Sequence, residues 1–188
     1  PKDWFSVKSR ALNQCRELYK SAKSSNGEFR VITNQEELQQ YITDRRINKK
    51  LTAGMLGIEG AHCLGDDINN LQLFYDAGVR YIGPTHFFDN SWAGSAHGIN
   101  KGGVTEKGKQ LIRKMDSLHM VIDLAHASPK TIDDIFVLTQ SPMLISHTGV
   151  KGVCDNNRNL SDAHLMEIGR RKGLVGIGLW ETAVCGTD

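Results

Sequence analysis

The stretch Met120–Ser128, MVIDLAHAS, starts as a near-continuous apolar run, reaches a histidine at position 126 and ends on a serine followed by Pro129. A short run rich in Val, Ile and Leu, without polar alternation, suits a strand buried on both faces, as in a parallel sheet. Ser128 as N-cap with Pro129 at the first helical position then opens a helix, with Ile132, Ile135 and Phe136 facing inward. Strand, histidine, helix is the unit to seek elsewhere in the chain.

It recurs. Thr52–Ile58, Val79–Gly83, Pro142–Ile145 and Gly173–Leu179 are apolar runs of the same kind. Between them lie helical patterns: Ile68, Leu71, Phe74 and Tyr75 on one face, Leu111, Ile112, Met115 and Leu118 on another. Ser161 caps a further helix that carries Leu165 and Ile168. Ahead of the repeats, Ser6–Ala22 and Asn34–Tyr41 read as helices, the second with Asn34 and Glu37 in capping-box positions. Phe29–Thr33 has the makings of a short strand. Alternating strands and helices around one parallel sheet are the α/β class. The spacing predicts a single domain over 1–188, with a helical lead-in over 1–50 and successive β/α units over 51–188. Phe87–Gly103, rich in Gly, Asn and Ser, is long for a connection and points to function.

Composition narrows the classes. Hydrophobic residues at 39% and charged residues at 23% match an ordinary soluble globular protein, and the formal charge is +2. No basic stripe alternates with aromatics, so nucleic acid is not an expected partner. No apolar run approaches the roughly 18 residues of a transmembrane helix. The N-terminal PKDWFSVKSR has no apolar core of the signal-peptide kind, which leaves the compartment open if residues precede it. Cys15, Cys63, Cys154 and Cys185 are far apart and form no CxxC pair, so free thiols are expected.

The strand ends carry the chemistry. The first run ends in Glu59, the second in Thr85-His86, the third in Ala125-His126 and the fourth in Ser146-His147. In parallel β/α topology all strand C-termini point one way, toward the rim where barrel enzymes place catalytic groups. One such histidine is more often a hydrogen-bonded structural residue, and Glu59 alone is as well read as a cap or an arginine partner. Four in succession make independent accidents a poor account. His119 precedes its strand and belongs on the opposite rim, His164 lies in a helix facing solvent, and His62 and His97 are second-tier residues on rim loops. Two imidazoles and a carboxylate, Glu59, His126 and His147, are a common three-ligand set for catalytic zinc, whose bound water titrates near about 7. A metal-free acid/base pair of Glu59 and a histidine competes with that reading. A Ser146–His147 triad is weaker, since no nucleophile-elbow sequence surrounds the serine.

GIEGAH (57–62), GVRYIGPTHFFDN (78–90), MVIDLAHAS, LISHTGV (144–150) and NNRNLSD (156–162), in this order and spacing, resemble the membrane (renal) dipeptidase family of zinc peptidases from about Phe29 onward. The resemblance implies an eight-stranded (β/α) barrel of the metallo-dependent hydrolase kind, two zinc ions, and dipeptide hydrolysis by a metal-bound hydroxide. Glu59 then matches the carboxylate bridging the two metals, and His126 and His147 match histidine ligands of one. His86 matches a histidine that stabilises the oxyanion. Arg158 matches the arginine that holds the substrate's terminal carboxylate; read alone in NNRNLSD, it is a solvated loop residue. The loop through Trp92 and His97 is expected to wall the substrate, and Trp180 to pack nearby. The family's His-x-Asp on the first strand and aspartate on the last have no counterpart here. By that register the chain holds strands three to seven, about five of eight, and is expected to be a fragment of a longer enzyme, for which a homo-oligomer is an open assembly. The alternatives are another metal-dependent amidohydrolase, acting on lactones, cyclic amides or deaminable bases, and a non-catalytic truncated paralogue.

Overall fold

The computed structural model describes residues 6–186 and resolves the chain into two compact units, Pro1–Ile58 with Cys63–Tyr81 and Glu59–His62 with Ile82–Asp188. Residues 1–5 of the stretch PKDWFSVKSR lie outside the described residues, as do 187–188.

In the first unit, α1 (Val7–Ser24) starts where the Ser6 hydroxyl accepts the Ser9 N–H. After β1 (Phe29–Val31), α2 (Gln35–Ile47) is capped by Asn34, whose side chain accepts the Glu37 N–H at 2.9 Å. The Glu37 carboxylate closes the box one residue earlier than expected, on the N–H and hydroxyl of Thr33. Helix α2 outruns the expected end at Tyr41, because Arg30 reaches Asp44 at 2.6 Å and Arg45 donates to the carbonyls of Lys49 and Leu51.

The apolar run Thr52–Ile58 is not one strand. Its first half, β2 (Thr52–Gly54), pairs in parallel with β1, whereas β3 (Leu56–Ile58) lies in another sheet beside β4 (Val79–Ile82), and the exposed Met55 marks the change. Between β3 and β4, α3 (Asn70–Asp76) buries Leu71 and Phe74. Gly57 is required in β3, since a Cβ there would sit 1.8 Å from the Tyr81 ring.

The second unit carries α4 (Glu106–Ser117), β5 (Val121–Asp123), α5 (Pro129–Leu138), β6 (Met143–Thr148), α6 (Asp162–Arg170), β7 (Leu174–Ile177) and the short α7 (Glu181–Val184), the last not foreseen. Strands β5, β6 and β7 are parallel neighbours in chain order, so this is an α/β fold with a parallel sheet. Helix α4 presents Leu111, Ile112 and Met115 to the core, which Ile122, Leu124, Ile135 and Ile145 fill from the strands and α5. Ser128 caps α5 by accepting the Thr131 N–H at 3.0 Å, as its position before Pro129 requires. Strand β7 departs from the both-faces-buried expectation: Leu174 and Ile177 are 68% and 60% exposed, because β6 is its single sheet neighbour among the described residues.

Four side chains also depart from expectation. Trp92 is 1% exposed and belongs to the core, held there because Asn90 turns the loop inward by accepting the Trp92 and Ala93 N–H groups. His164 does not face solvent; its side chain is 12% exposed and lies 3.1 Å from Asp133 on α5. Cys154 and Cys185 form a disulfide, with Cα atoms 5.2 Å apart, while Cys15 and Cys63 are free and buried. Burial pushes the Cys63 thiol up to about 12. The pairing follows from folding that spacing does not show: Asn156 donates to Thr182 O and Asn159 to Ala183 O, which brings the Cys154 loop onto α7. The bridge closes a sequence separation of 31 residues, so chain entropy predicts a contribution of about 3–4 kcal/mol. Replacing both cysteines with serine is expected to lower the denaturant midpoint accordingly, with the single-serine variants no more stable than the double.

Candidate metal centre

Glu59, His86, His126 and His147 all belong to the second unit and line one cleft of about 400 Å³ with His97, Arg158, Phe87 and Trp180. Four strand-end groups separated by up to 88 positions in sequence thus meet in one place, as parallel topology requires. His62 is exposed on the turn Ala61–Leu64 and is not among the lining residues; His119, two residues before β5, is also exposed.

Glu59 is set by the glycine that follows it. Gly60 has φ +94°, a left-handed conformation, and a Cβ there would lie 2.5 Å from His62 Nδ1 and 3.1 Å from His86 Cβ. Gly60→Ala is therefore expected to cost about 1–3 kcal/mol of stability and to displace Glu59 from His86. Denaturant titration and metal content of the variant measure both effects.

The donor atoms converge. Glu59 Oε1 lies 2.8 Å from His126 Nε2 and 3.3 Å from His147 Nε2, and the two Nε2 atoms are 3.0 Å apart. Glu59 Oε2 lies 3.7 Å from His86 Nε2, and the donors of Glu59, His86 and His126 fall within 4.8 Å of one another. His126 is 6% exposed and sits edge-on to His86 and His147, with its ring also close to Phe87 and His97. Burial, then the charge of Arg158 and the neighbouring imidazoles, push His126 down to about 3. It is therefore neutral at pH 7 and its contact with Glu59 is no ion pair. Its Nδ1 is buried without a hydrogen-bond partner among the described residues, so packing and the Nε2 contacts with Glu59 and His147 orient this ring. His147 is oriented differently, with Nδ1 2.9 Å from Ser146 Oγ. A proton on that Nδ1 leaves the Nε2 lone pair facing Glu59.

These donors fit a divalent metal. Ligands held at the 2.0–2.1 Å typical of zinc stand about 3.3 Å apart along a tetrahedral edge. The 2.8–3.3 Å separations here are those of a slightly contracted set, and a neutral imidazole is the form that ligates.

Arg158 is half-buried beside this set. Its Nη2 donates to His147 O at 2.7 Å, and its guanidinium stands 5.5 Å from the Trp180 ring. Burial lowers its pKa to about 10, with Asp123 and Glu59 acting in the opposite direction, so the charge persists at neutral pH. Its loop is built by asparagines: Asn156 accepts the Arg158 N–H, and the buried Asn159 ties Cys154 O, Ala183 O and the Gly149 N–H together.

Known proteins resemble the chain over most of its length. The family model described as membrane dipeptidase, peptidase family M19, matches residues 5–188. The chain belongs to that family. Dipeptidase 3 of Mus musculus is 31% identical over 175 residues, covering 90% of this chain and 34% of the relative. A metallopeptidase from Rhodobacter sphaeroides, solved with a phosphinate mimic of the dipeptide L-Ala-D-Ala, superposes with a TM-score of 0.73 at 28% identity, over 86% of this chain and 46% of that one. The probable dipeptidase PvdM from Pseudomonas aeruginosa shares the fold, with a TM-score of 0.77 at 24% identity, over 87% of this chain and 42% of that one. The chain spans about a third of the length of this curated relative and under half of these solved chains.

The cleft and its surroundings hold residues to which the strand-end reading gave no supporting role. Asp123 and Ser146 contact the backbone or rings around the histidines, and Phe87 and Thr182 line the cleft. A signal for the first two was present: each precedes a site histidine, by three positions and by one.

Proposed function

We propose that this chain is part of an enzyme that hydrolyses dipeptides with Zn²⁺ held by Glu59, His126 and His147. The supporting observation is the meeting of three ligand donors within 2.8–3.3 Å in the same cleft as a charged, half-buried arginine. Two imidazoles and a carboxylate are the donor chemistry of catalytic zinc. When bound, such an ion polarises a carbonyl and lowers the pKa of coordinated water to about 7. A second ion, as the family resemblance implies, would also draw on the Glu59 carboxylate.

The side chains do the rest. Arg158 presents a planar fork that takes the substrate's terminal carboxylate through two hydrogen bonds, which fixes the scissile bond relative to Glu59. His86, on the Oε2 side of Glu59, donates to the carbonyl oxygen as negative charge develops there. Phe87 and Trp180 stand on the cleft wall and keep water from the anchored end. The L-Ala-D-Ala mimic bound by the Rhodobacter sphaeroides relative is the size of ligand this arrangement suits.

His86 has a competing role as a ligand, favoured by the 4.8 Å grouping with Glu59 and His126. His86→Ala in the full-length enzyme separates the two. As oxyanion donor, its loss leaves metal content unchanged and lowers kcat by about 10²–10³; as ligand, its loss removes metal as well. The wider reading is tested by dipeptide hydrolysis that stops on chelation and returns with Zn²⁺. A chelation-insensitive enzyme, or one that leaves dipeptides intact, rules it out.

A further inference from the structure

Asp123 ends β5, is 4% exposed, and is assigned no part in the chemistry above. A buried carboxylate costs free energy unless something compensates it, so its partners show its use. Its Oδ1 accepts two backbone N–H groups, from Ala125 and from Ser146, each at 3.0 Å. Those are the residues immediately before His126 and His147.

The second bond replaces a rung of the sheet. Between β5 and β6 the ladder runs through Asp123 opposite Leu144, and the Leu124 N–H donates to Leu144 O at 2.9 Å. In a parallel ladder the next donor, the Ser146 N–H, would turn to Leu124 O. That carbonyl instead accepts the Ala127 N–H, because the chain turns there to bring His126 round. On the other side of β6, pairing with β7 is irregular between Ile145 and Thr148, so it gives no regular support where His147 sits. The Asp123 carboxylate thus serves as acceptor at the point where the turn has taken the backbone one away.

We propose that Asp123 is a positioning residue that joins the ends of β5 and β6 through the Ala125 and Ser146 amides and so sets the spacing of the His126 and His147 imidazoles. The inference rests on the metal-site reading for its functional weight, not for its geometry. Asp123 is also a source of negative charge acting on Arg158, which itself donates to His147 O. Metal ligands and substrate anchor are therefore referred to the same strand ends. Residues that orient ligands from outside the coordination sphere typically carry 10–100-fold in metal affinity.

The test uses the full-length enzyme, with Co²⁺ as a spectroscopic probe and backbone hydrogen exchange. Asp123→Asn keeps the acceptor oxygen and is expected to bind Co²⁺ within about threefold of wild type, with its absorption bands in place. Asp123→Ala is expected to lose 10–100-fold in affinity while still melting cooperatively. Asp123→Glu, which keeps the charge but moves the oxygen by one methylene, is expected to shift the bands and weaken binding; it decides the matter if the alanine variant does not fold. Unchanged affinity and spectrum in a folded Asp123→Ala, or in Asp123→Glu, overturn the proposal. Amide exchange separates it from the metal reading. If wild type takes up no Co²⁺ yet the Ala125 and Ser146 amides exchange slowly and are released in Asp123→Ala, the strand tie stands and the metal assignment fails. If those amides exchange alike in both, the tie itself fails.

Discussion

His126→Ala in the full-length enzyme is expected to remove the bound metal and at least about a thousandfold of dipeptide hydrolysis. Of the three proposed ligands His126 is the most enclosed, and it makes the shortest contact with Glu59, 2.8 Å. Without it, Glu59 and His147 remain 3.3 Å apart as a two-donor site open to water. Two donors do not hold a catalytic zinc, which takes three protein ligands and keeps one open position. Losing the ion's stabilisation of transition-state charge removes several kcal/mol, and about 4 kcal/mol corresponds to about a thousandfold in rate. The alanine also leaves a cavity beneath Phe87 and His97, so stability must be measured alongside. A variant that melts as wild type does but contains no metal fits the assignment. One that retains stoichiometric metal and activity ends it.

His97 sharpens that experiment. Its imidazole packs near the His126 ring, and burial, followed by the charge of Arg158, holds it below the usual histidine range. It offers no donor to the group around Glu59, yet it belongs to the Gly-rich loop whose length pointed to function. Asp89 holds that loop, accepting the Ser95 and Asn100 N–H groups, and a Cβ on Gly98 would collide with the Asp89 carboxylate. The loop is therefore a fixed wall built on one carboxylate. Its histidine lines the cleft and lies outside the donor group of Glu59, His86 and His126.

The sequence showed the strand ends clearly because parallel strands are buried runs, and a charged residue at the end of such a run needs a reason. That pattern sets Glu59, His86, His126 and His147 on one rim, and the four line one cleft. It failed where the answer depends on how loops return. Trp92 read as a substrate wall and is core, because the Asn90 side chain bends the loop inward. Cys154 and Cys185 read as free thiols and are bonded, because α7, four residues long, is too short to be visible as a helical period. The run Thr52–Ile58 looked like one strand, since hydropathy does not record a change of pairing partner at Met55. Asp123 was hidden for a different reason: inside MVIDLAHAS it looks like a break in an apolar run, and its value lies in two amides, one of them 23 positions away.

Arg158 separates dipeptide hydrolysis from the other reactions a barrel of this kind can host. Read alone, it is an exposed loop residue; in place, it is half-buried, charged at neutral pH, and aligned with the cleft that holds the proposed ligands. Among the described residues no carboxylate pairs with it closely: its donors go to His147 O and, at 3.4 Å, to Thr148 Oγ1. An arginine desolvated on neutral acceptors is suited to receive an anion, and a dipeptide brings one at its C-terminus. Arg158→Ala is expected to lower kcat/KM for free dipeptides by about 10²–10³, since charge-assisted bonds to a carboxylate contribute about 1.5–3 kcal/mol each when neither partner is left in water. Amidated dipeptides carry no such group, so their already slow hydrolysis should change by less than about threefold. That contrast also answers the structural objection. Truncation unties Arg158 from the end of β6, and a displaced His147 would slow both substrates alike. Arg158→Lys should recover only part of the loss, because an ammonium offers a point charge in place of a planar fork. Equal losses on free and amidated substrates would assign Arg158 to holding β6, and the carboxylate anchor would have to be sought elsewhere.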